Sequence, residues 1–314
     1  KKLFEPGRIG GLTIRNRAVM SPMGTDLADI RGNATPRLIA YYTERAKGGI
    51  GLIINEYTGV DDVDSIPTQH NLRMAQDYNV QEAEELTRSV HAYGAKIFAQ
   101  LHHGGATSKS AFTGRQNLSP SGVPMAPGGE VPREMTLEDI KRVQEKFIAA
   151  AIRCKKAGYD GVELHGAHSY LLAEFFSRYY NRRTDRYGGS LENRARFLTE
   201  LIAICKEEGG ADFPVIVKFT PDHYMDGEGY RAIDEGIELA KLIVAAGADA
   251  LHVDAGCHEN WPNAMPPAGM QQMTLQSRSA KIIRSVVDVP VMTHGRFGDV
   301  DKAEAALRDG VCDI

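Results

Sequence analysis

Residues 214–221 read PVIVKFTP, and residues 250–256 read ALHVDAG. Both runs are apolar, too short for a helix and bounded by Gly or Pro, which is typical of buried parallel strands. Between them, apolar residues recur at helical spacing, at Ile233, Ile237, Ala240 and Val244. Gly247 then suits the C-terminal end of a helix. This stretch therefore predicts one strand–helix–strand unit of a parallel sheet.

Apolar runs of the same kind are spread over the rest of the chain, at residues 18–23, 51–57, 96–101, 161–166 and 290–295. Seven strand–helix units in a row favour a (β/α)8 TIM barrel, an α/β fold, over an open sheet. An eighth strand is expected near Cys312, just before the last residue, Ile314. Seven strands alone would leave two exposed parallel edges. We therefore expect residues 1–314 to be one barrel domain, cut before or within strand eight.

Helical patterns and one long excursion separate the strands. Val80, Ala83, Leu86 and Val90 form one apolar stripe. Thr136 with Asp139 predicts a capping box, and it precedes an apolar face of Ile140, Val143, Phe147 and Cys154. Residues 104–133, after the third strand, are rich in Gly, Pro and Ser. They predict an active-site lid or a hairpin.

Composition excludes several classes of protein. The chain has 314 residues and a net charge of −4, with 42% hydrophobic and 25% charged residues, which is typical of a globular protein without a basic surface for nucleic acid. No apolar run approaches the roughly 20 residues of a membrane helix, and the N-terminus lacks the apolar centre of a signal peptide. The four cysteines show no CxxC spacing. We therefore expect no zinc site, no disulfide framework and a cytoplasmic protein with reduced thiols.

In a barrel, the C-terminal ends of the strands carry the chemistry. The fourth predicted strand ends at His165, which is followed by His168 and Tyr170. Two imidazoles three residues apart can converge on one oxygen atom, and the phenol beside them has a proton to transfer. Two histidines at this spacing could instead bind a metal ion. No third His, Cys or carboxylate stands at matching spacing, so we favour hydrogen-bond donors and expect no metal site.

The third and fifth predicted strands add an amide and a cation. The Gln100 amide both donates and accepts, which suits the edge of a pyrimidine ring. His102 and His103 follow it on the strand, where neighbouring side chains point in opposite directions and cannot both face one ligand. Lys218 stands inside an apolar run, so it needs an anionic partner or an escape to solvent at the rim of the barrel. Both alternatives for Lys218 stay open.

The remaining strand ends carry weaker signals. After the first strand, Gly24 would let a flat ring approach the backbone, but an ordinary exit from a strand explains the pattern better. After the sixth, His258 and Glu259 could shuttle protons or lie at the surface, and residues 261–273 form a loop rich in Pro and Met. After the seventh, Gly295 and Arg296 suit one half of a phosphate site.

Longer motifs connect these positions. The N-terminus contains LFEP at residues 3–6 and SPM at residues 21–23, and Gln100 is followed by HGG at residues 103–105. Residues 165–197 contain HGAHSYL, then NRRTDRYGGS and then Glu192, Asn193 and Arg194. In order and spacing, these motifs resemble the Old Yellow Enzyme family of flavoproteins over all 314 residues.

The resemblance implies an FMN-binding barrel and assigns roles by position. The flavin-lining residues would be Ser21, Pro22, Met23, Gly24, Tyr57 and Gln100, with Lys218 near the flavin N1 and Gly295 and Arg296 at the ribityl phosphate. The catalytic residues would be His165 and His168 on the substrate carbonyl oxygen, Tyr170 as proton donor and His258 assisting it. Gly24 stands where relatives carry Thr, Cys or His, which leaves the redox potential of the flavin open.

The chain is most similar to the larger iron–sulfur members of that family, which include 2,4-dienoyl-CoA reductases, trimethylamine dehydrogenase and enoate or bile-acid enone reductases. This resemblance implies a [4Fe–4S] cluster and FAD in sequence beyond residues 1–314. It also implies that NADH or NADPH reduces FMN, either directly over the barrel or through the iron–sulfur cluster. The reduced FMN would then transfer a hydride to the C=C bond of an enone, enoate or enoyl thioester.

Two alternatives stay open. One is an amine or steroid dehydrogenase on the same scaffold, although Trp261 is the only tryptophan and an aromatic cage for an amine is therefore disfavoured. The other is a non-catalytic barrel fragment. The expected partner is a small unsaturated carbonyl compound, with neither nucleic acid nor membrane, and self-association into a homo-oligomer is left open.

Overall fold

The fold is known from a computed structural model that describes residues 1–260 and 274–314. Its centre is a curled sheet of seven parallel strands in the order β11-β10-β9-β8-β5-β4-β3. These strands are β3 (Val19–Met20), β4 (Leu52–Gly59), β5 (Lys96–His102), β8 (Gly161–Gly166), β9 (Val215–Phe219), β10 (Leu251–Val253) and β11 (Val291–Thr293). Each lies within or overlaps one of the predicted apolar runs. The predicted barrel-type α/β fold is confirmed.

Helices connect the strands and cover the outer face of the sheet. The described helices are α1 (Pro36–Lys47), α2 (Asn79–His91), α3 (Ser110–Thr113), α4 (Leu137–Lys156), α5 (Leu171–Phe176), α6 (Leu191–Gly209), α7 (Ile233–Ala245), α8 (Leu275–Arg284) and α9 (Val300–Arg308). The predicted capping box of Thr136 and Asp139 begins α4. Among the described residues, no helix is both long and apolar enough to cross a membrane.

Helix α7 is rotated by part of a turn from the predicted orientation, so that Ile233, Ile237 and Val244 of the predicted stripe pack only partly buried against the core. Of the predicted stripe only Ala240 is fully buried, and the other buried residues are Gly236, Leu239 and Ile243. A Cβ atom on Gly236 would lie 2.2 Å from the Pro221 carbonyl oxygen. The helix therefore approaches the loop after β9 so closely that only glycine fits, and this contact sets its rotation.

A short antiparallel hairpin closes the amino-terminal end of the barrel. It consists of β1 (Gly7–Ile9) and β2 (Leu12–Ile14). Ile9 and Ile14 are completely buried in one apolar cluster with side chains from the strands, including Leu52, Phe98 and Ile216. Apolar side chains fill this end of the barrel, and the polar residues of the strands lie nearer the carboxyl end.

The excursion after β5 is not a hairpin. Its two strands, β6 (Leu118–Ser119) and β7 (Arg133–Glu134), pair in parallel, so the hairpin alternative is wrong. The buried Arg183 fixes this excursion to the loop after β8, since its Nη1 donates to the carbonyl oxygens of Pro120 at 2.9 Å and Met135 at 2.6 Å. The excursion thus lies beside the mouth of the barrel.

The backbone at the predicted start of strand eight lies alongside β11. The Asp313 amide donates to the Val291 carbonyl oxygen at 2.8 Å, and the Ile314 amide lies 3.4 Å from the same oxygen.

Candidate active site

Five aromatic rings meet at the carboxyl ends of β4, β5 and β8. Tyr57, His102 and His165 come from the strands, and His168 and Tyr170 come from the turn after β8. The ring centroids of His102 and Tyr170 are 4.3 Å apart, those of His165 and Tyr170 are 5.0 Å apart, and those of His165 and His168 are 5.2 Å apart. The structure thus brings together the two histidines and the tyrosine singled out in the sequence, and it adds His102.

A strained turn presents His168 and Tyr170 to the barrel mouth. His168 and Ser169 both adopt left-handed backbone angles, with φ of +58° and +56°, a conformation that costs a non-glycine residue roughly 1–2 kcal/mol. The Ser169 hydroxyl accepts from the His258 amide at 3.2 Å, and the Leu171 amide donates to the His103 carbonyl oxygen at 3.1 Å. Strain of this kind persists where surrounding contacts hold it, typically at functional sites.

Burial keeps the His165 and His102 rings and the Tyr170 hydroxyl uncharged at neutral pH. Desolvation lowers the pKa of His165 well below its usual value, helped by the nearby His168. Desolvation also lowers the pKa of His102 to about 3 and raises the pKa of the Tyr170 hydroxyl. Nδ1 of His165 and both ring nitrogens of His102 are buried without a hydrogen-bond partner in the described part of the chain. These nitrogens are therefore available to a ligand.

His103 points away from this cluster, as expected for neighbours on a strand. Its Nδ1 accepts from the Gly105 amide at 3.1 Å, and its Nε2 lies 3.8 Å from Asp61. Of the two adjacent histidines, His102 is therefore the one that faces the site.

Lys218 has an anionic partner inside the barrel. Its side chain is 3% exposed, and its Nζ lies 3.0 Å from Oδ2 of Asp254, which excludes the alternative of a lysine at the solvated rim. The same oxygen lies 2.8 Å from Nε2 of His168. Burial by itself would raise the pKa of Asp254, but Lys218, His168 and His294 outweigh it and hold that pKa well below its usual value. Asp254 is thus an ionised carboxylate that holds both Lys218 and His168.

A second buried carboxylate, Glu163, stands on β8. Oε1 of Glu163 accepts from Nε2 of Gln100 at 2.8 Å, and Oε2 lies 2.7 Å from Nδ1 of His252. Nε2 of His252 lies 3.0 Å from Nδ1 of His294, and Nε2 of His294 lies 3.4 Å from Oδ1 of Asp254. A continuous polar chain therefore runs from Gln100 to Asp254.

The loop after β3 passes the same polar chain. Ser21 Oγ lies 3.5 Å from Nε2 of His252. Pro22 is partly buried and Met23 is exposed. These residues border the mouth of the barrel between β3 and β10.

Gly24 makes room for an aromatic ring of the protein itself. A Cβ atom on Gly24 would lie 2.5 Å from Cε1 of Tyr57. The Tyr57 hydroxyl lies 3.0 Å from Oγ1 of Thr68, and burial raises the pKa of Tyr57 to about 12. Any larger residue at position 24 would displace this tyrosine.

Gly295 and Arg296 form a turn after β11 that suits an anion. Both have left-handed backbone angles, with φ of +103° and +66°. Nη1 of Arg296 is buried without a hydrogen-bond partner among the described residues. An unsatisfied guanidinium nitrogen beside a glycine turn fits a phosphate oxygen.

His258 lies on a short 3-10 helix, His258–Asn260, after β10. Its backbone amide is bonded to Ser169, so it stands beside the strained turn, and its side chain is exposed. Desolvation, Lys109 and His168 lower its pKa. The neighbouring loop, residues 261–273, and with it Trp261, lies outside the described residues.

Sequence reasoning missed four members of this site, namely Glu163, His252, Asp254 and His294. Each is a polar residue within or directly after an apolar strand, where a buried polar side chain needs a partner. Applied to all strands and not only to Lys218, that signal would have found them.

The chain matches curated proteins over nearly its whole length. The chain is 43% identical over 313 residues to an NADH oxidase of Thermoanaerobacter brockii, covering 99% of this chain and 48% of that protein. It is 39% identical over 335 residues to a cinnamate reductase of Clostridium sporogenes, covering 100% of this chain and 50% of that protein. The chain thus spans about half the length of these curated relatives.

A solved structure has the same fold. 2-Naphthoyl-CoA reductase in complex with 2-naphthoyl-CoA superposes with a TM-score of 0.93 at 28% identity, covering 100% of this chain and 49% of that one. Residues 2–314 match the pattern of one flavoprotein family along their whole length. The chain therefore belongs to the NADH:flavin oxidoreductase / NADH oxidase family.

Proposed function

We propose that the protein is an FMN-dependent ene-reductase, which transfers a hydride from NADH or NADPH through FMN to the C=C bond of an α,β-unsaturated carbonyl compound. The observation that carries this proposal is the convergence of uncharged His165, His168 beside its carboxylate, and protonated Tyr170 within one ring cluster. That set offers hydrogen bonds to one oxygen and a proton to a neighbouring carbon.

The residues around the barrel mouth fit FMN. Gln100 offers an amide to the pyrimidine edge, Lys218 offers a buried cation for the N1 side, and Arg296 offers an unsatisfied guanidinium nitrogen for the phosphate. Ser21, Pro22, Met23, Gly24 and Tyr57 would line the ring on the β3 and β4 side. When bound, the flavin supplies the hydride chemistry that no protein side chain has.

His165 and His168 would hold the carbonyl oxygen of the substrate. As charge develops on that oxygen, two donors in a buried site stabilise it more strongly than water would. Oδ2 of Asp254 lies 2.8 Å from Nε2 of His168. The same carboxylate orients the imidazole, as in carboxylate–histidine pairs generally.

Tyr170 would deliver a proton to the α-carbon. Burial raises the pKa of its hydroxyl, so the proton is retained at neutral pH until an adjacent carbanion takes it. His258, held beside the turn by its amide bond to Ser169, would relay the replacement proton from solvent.

The relatives support an unsaturated carbonyl substrate without identifying it. Cinnamate, in the name of one relative, is an α,β-unsaturated carboxylate, and 2-naphthoyl-CoA, bound in the solved structure, is a conjugated thioester. The predicted [4Fe–4S] cluster and FAD concern sequence outside residues 1–314 and stay predictions.

The test separates the two half-reactions under anaerobic conditions. The protein is loaded with FMN, reduced by NADH or NADPH, and then mixed with cinnamate, an enone or an enoyl-CoA while the flavin absorbance is followed. We expect fast reoxidation by at least one of these with formation of the saturated product. Reduced flavin that none of these compounds reoxidises, and that is reoxidised only once oxygen is admitted, would contradict the proposal. Replacing both His165 and His168 by Ala should also abolish the charge-transfer band with phenolic ligands, because the phenolate loses both donors.

A further inference from the structure

Glu163 is a buried carboxylate whose position the fold does not explain. It lies fully buried in β8 between Val162 and Leu164, both of which are also fully buried. Burying a carboxylate is costly, and well-packed apolar residues often serve stability as well or better. Its two oxygens are both used, one for Nε2 of Gln100 at 2.8 Å and one for Nδ1 of His252 at 2.7 Å.

The hydrogen bond from Gln100 Nε2 to Glu163 fixes the orientation of the Gln100 side-chain amide. A carboxamide can turn over and exchange its oxygen and nitrogen, whereas an ionised carboxylate only accepts hydrogen bonds. Glu163 therefore holds Nε2 of Gln100 and leaves its Oε1 as an acceptor for another donor. The pyrimidine edge of a flavin presents an N–H between two carbonyl oxygens, so an amide fixed in this way matches that N–H.

The second contact orients an imidazole in the same manner. With Glu163 accepting at Nδ1, the His252 ring turns its Nε2 to Nδ1 of His294 at 3.0 Å and to Ser21 Oγ at 3.5 Å. Ser21 is itself assigned to the flavin site. One carboxylate thus orients both the Gln100 amide and the His252 ring.

We propose that Glu163 is a positioning residue for the flavin, which fixes the Gln100 amide and the His252 ring through its two carboxylate oxygens. This inference rests on the proposed function. It predicts that the charge and geometry of Glu163 influence both FMN affinity and the redox potential of the bound flavin.

The experiment is a double-mutant cycle on FMN binding. Flavin fluorescence is titrated with the apo forms of the wild type, Glu163→Gln, Gln100→Ala and the double variant. We expect Glu163→Gln to weaken FMN binding by about tenfold, the value of one charge-assisted hydrogen bond. Gln100→Ala should weaken it similarly in the wild type, but by less than about twofold when Glu163 is already replaced, because the amide is no longer fixed.

Glu56→Gln is the matched control. Glu56 is an equally buried carboxylate on β4, which pairs with the Gln100 strand β5, but it accepts from the Thr25 amide at 2.8 Å, and no hydrogen bond joins it to Gln100 in the described structure. FMN affinity should stay within about twofold of the wild type. The midpoint potential of bound FMN should become more positive in Glu163→Gln, where a buried negative charge is lost, and stay unchanged in Glu56→Gln.

Unchanged FMN affinity in Glu163→Gln, or losses that simply add in the double variant, would overturn the positioning role while leaving the proposed function intact. A wild-type protein that binds no FMN would overturn both. Should Glu163→Gln fail to fold, the side-chain amide protons of Gln100 in the wild type decide the question by NMR. Slow exchange with solvent is expected, and exchange as fast as in a free glutamine contradicts the inference.

Discussion

Replacing Lys218 by Met removes the cation beside Asp254, at one end of the polar chain, and leaves the Asp254 carboxylate behind. Lys218 is 3% exposed and Asp254 is fully buried. Removing one partner of a buried ion pair typically costs about 3–5 kcal/mol, because the remaining charge is uncompensated. Asp254 keeps its contacts to His168 at 2.8 Å and to the Ala255 amide at 2.8 Å. We therefore expect the lower end of that range, about 3 kcal/mol.

Lys96→Met is the matched control for this substitution. Lys96 also stands on a strand and lies 2.8 Å from a carboxylate, Asp160, but its side chain is 36% exposed. Ion pairs exposed to that degree contribute about 0–1 kcal/mol. Urea unfolding of both variants, followed by circular dichroism at pH 7.5, gives the two losses in free energy of unfolding. Equal losses in the two variants would refute the buried pair.

The pH dependence gives a second check on the same pair. In the wild type the pKa of Asp254 is depressed, so its contribution to stability is present above the pKa of the unfolded chain and disappears only in strong acid. Without Lys218, burial raises that pKa, and a protonated carboxyl forms in the folded state as the pH falls. The deficit of Lys218→Met should therefore shrink between pH 7.5 and pH 5. A deficit that grows with acid would contradict this reasoning.

Three further predictions concern the ring cluster. Tyr170→Phe should leave flavin reduction by nicotinamide intact and slow turnover by about 10²–10⁴-fold in stopped-flow assays, and unchanged turnover would remove this tyrosine from the mechanism. Ser169→Gly should change the free energy of unfolding by less than about 1 kcal/mol, because relief of the left-handed backbone offsets the lost hydrogen bond. The His258 amide should exchange about fivefold faster with deuterium. Exchange that is not faster would contradict the hydrogen bond from the His258 amide to Ser169. Between pH 7 and pH 5 the free energy of unfolding of the wild type should fall by about 2 kcal/mol more than that of His102→Leu. The reason is that His102 takes up a proton in this range only in the unfolded wild type. Equal pH profiles would mean that His102 is not held neutral.

The architecture could be predicted because it depends on local patterns. Short apolar runs bounded by Gly or Pro indicated all seven strands of the central sheet, and the capping box at Thr136 marked the start of α4. The rotation of α7 could not be predicted, because it is set by the contact between Gly236 and the Pro221 carbonyl. That contact depends on a loop whose path the helical periodicity does not contain.

Only the part of the site that lies at the end of a single strand could be predicted. His165, His168 and Tyr170 lie within six residues of one another, so one local motif contains all three. The partner of Lys218 is Asp254, from the neighbouring strand, and Gln100 and Glu163 come from two other strands. Which of these meet depends on strand order and register, which a sequence without relatives does not give.

Trp261, the only tryptophan of the sequence, lies outside the described residues. The expectation that the site has no aromatic cage for an amine therefore stays a prediction.

The most direct measurement uses NADH or NADPH deuterated at both C4 positions, with a cinnamate or enone substrate in ordinary water, and locates the isotope in the product by NMR. The account predicts one deuterium at the β-carbon, carried there by the flavin, and one solvent-derived hydrogen at the α-carbon, delivered by Tyr170. No saturated product while the cofactor is consumed, or a saturated product whose deuterium lies at the α-carbon, would contradict hydride transfer to the β-carbon and protonation of the α-carbon.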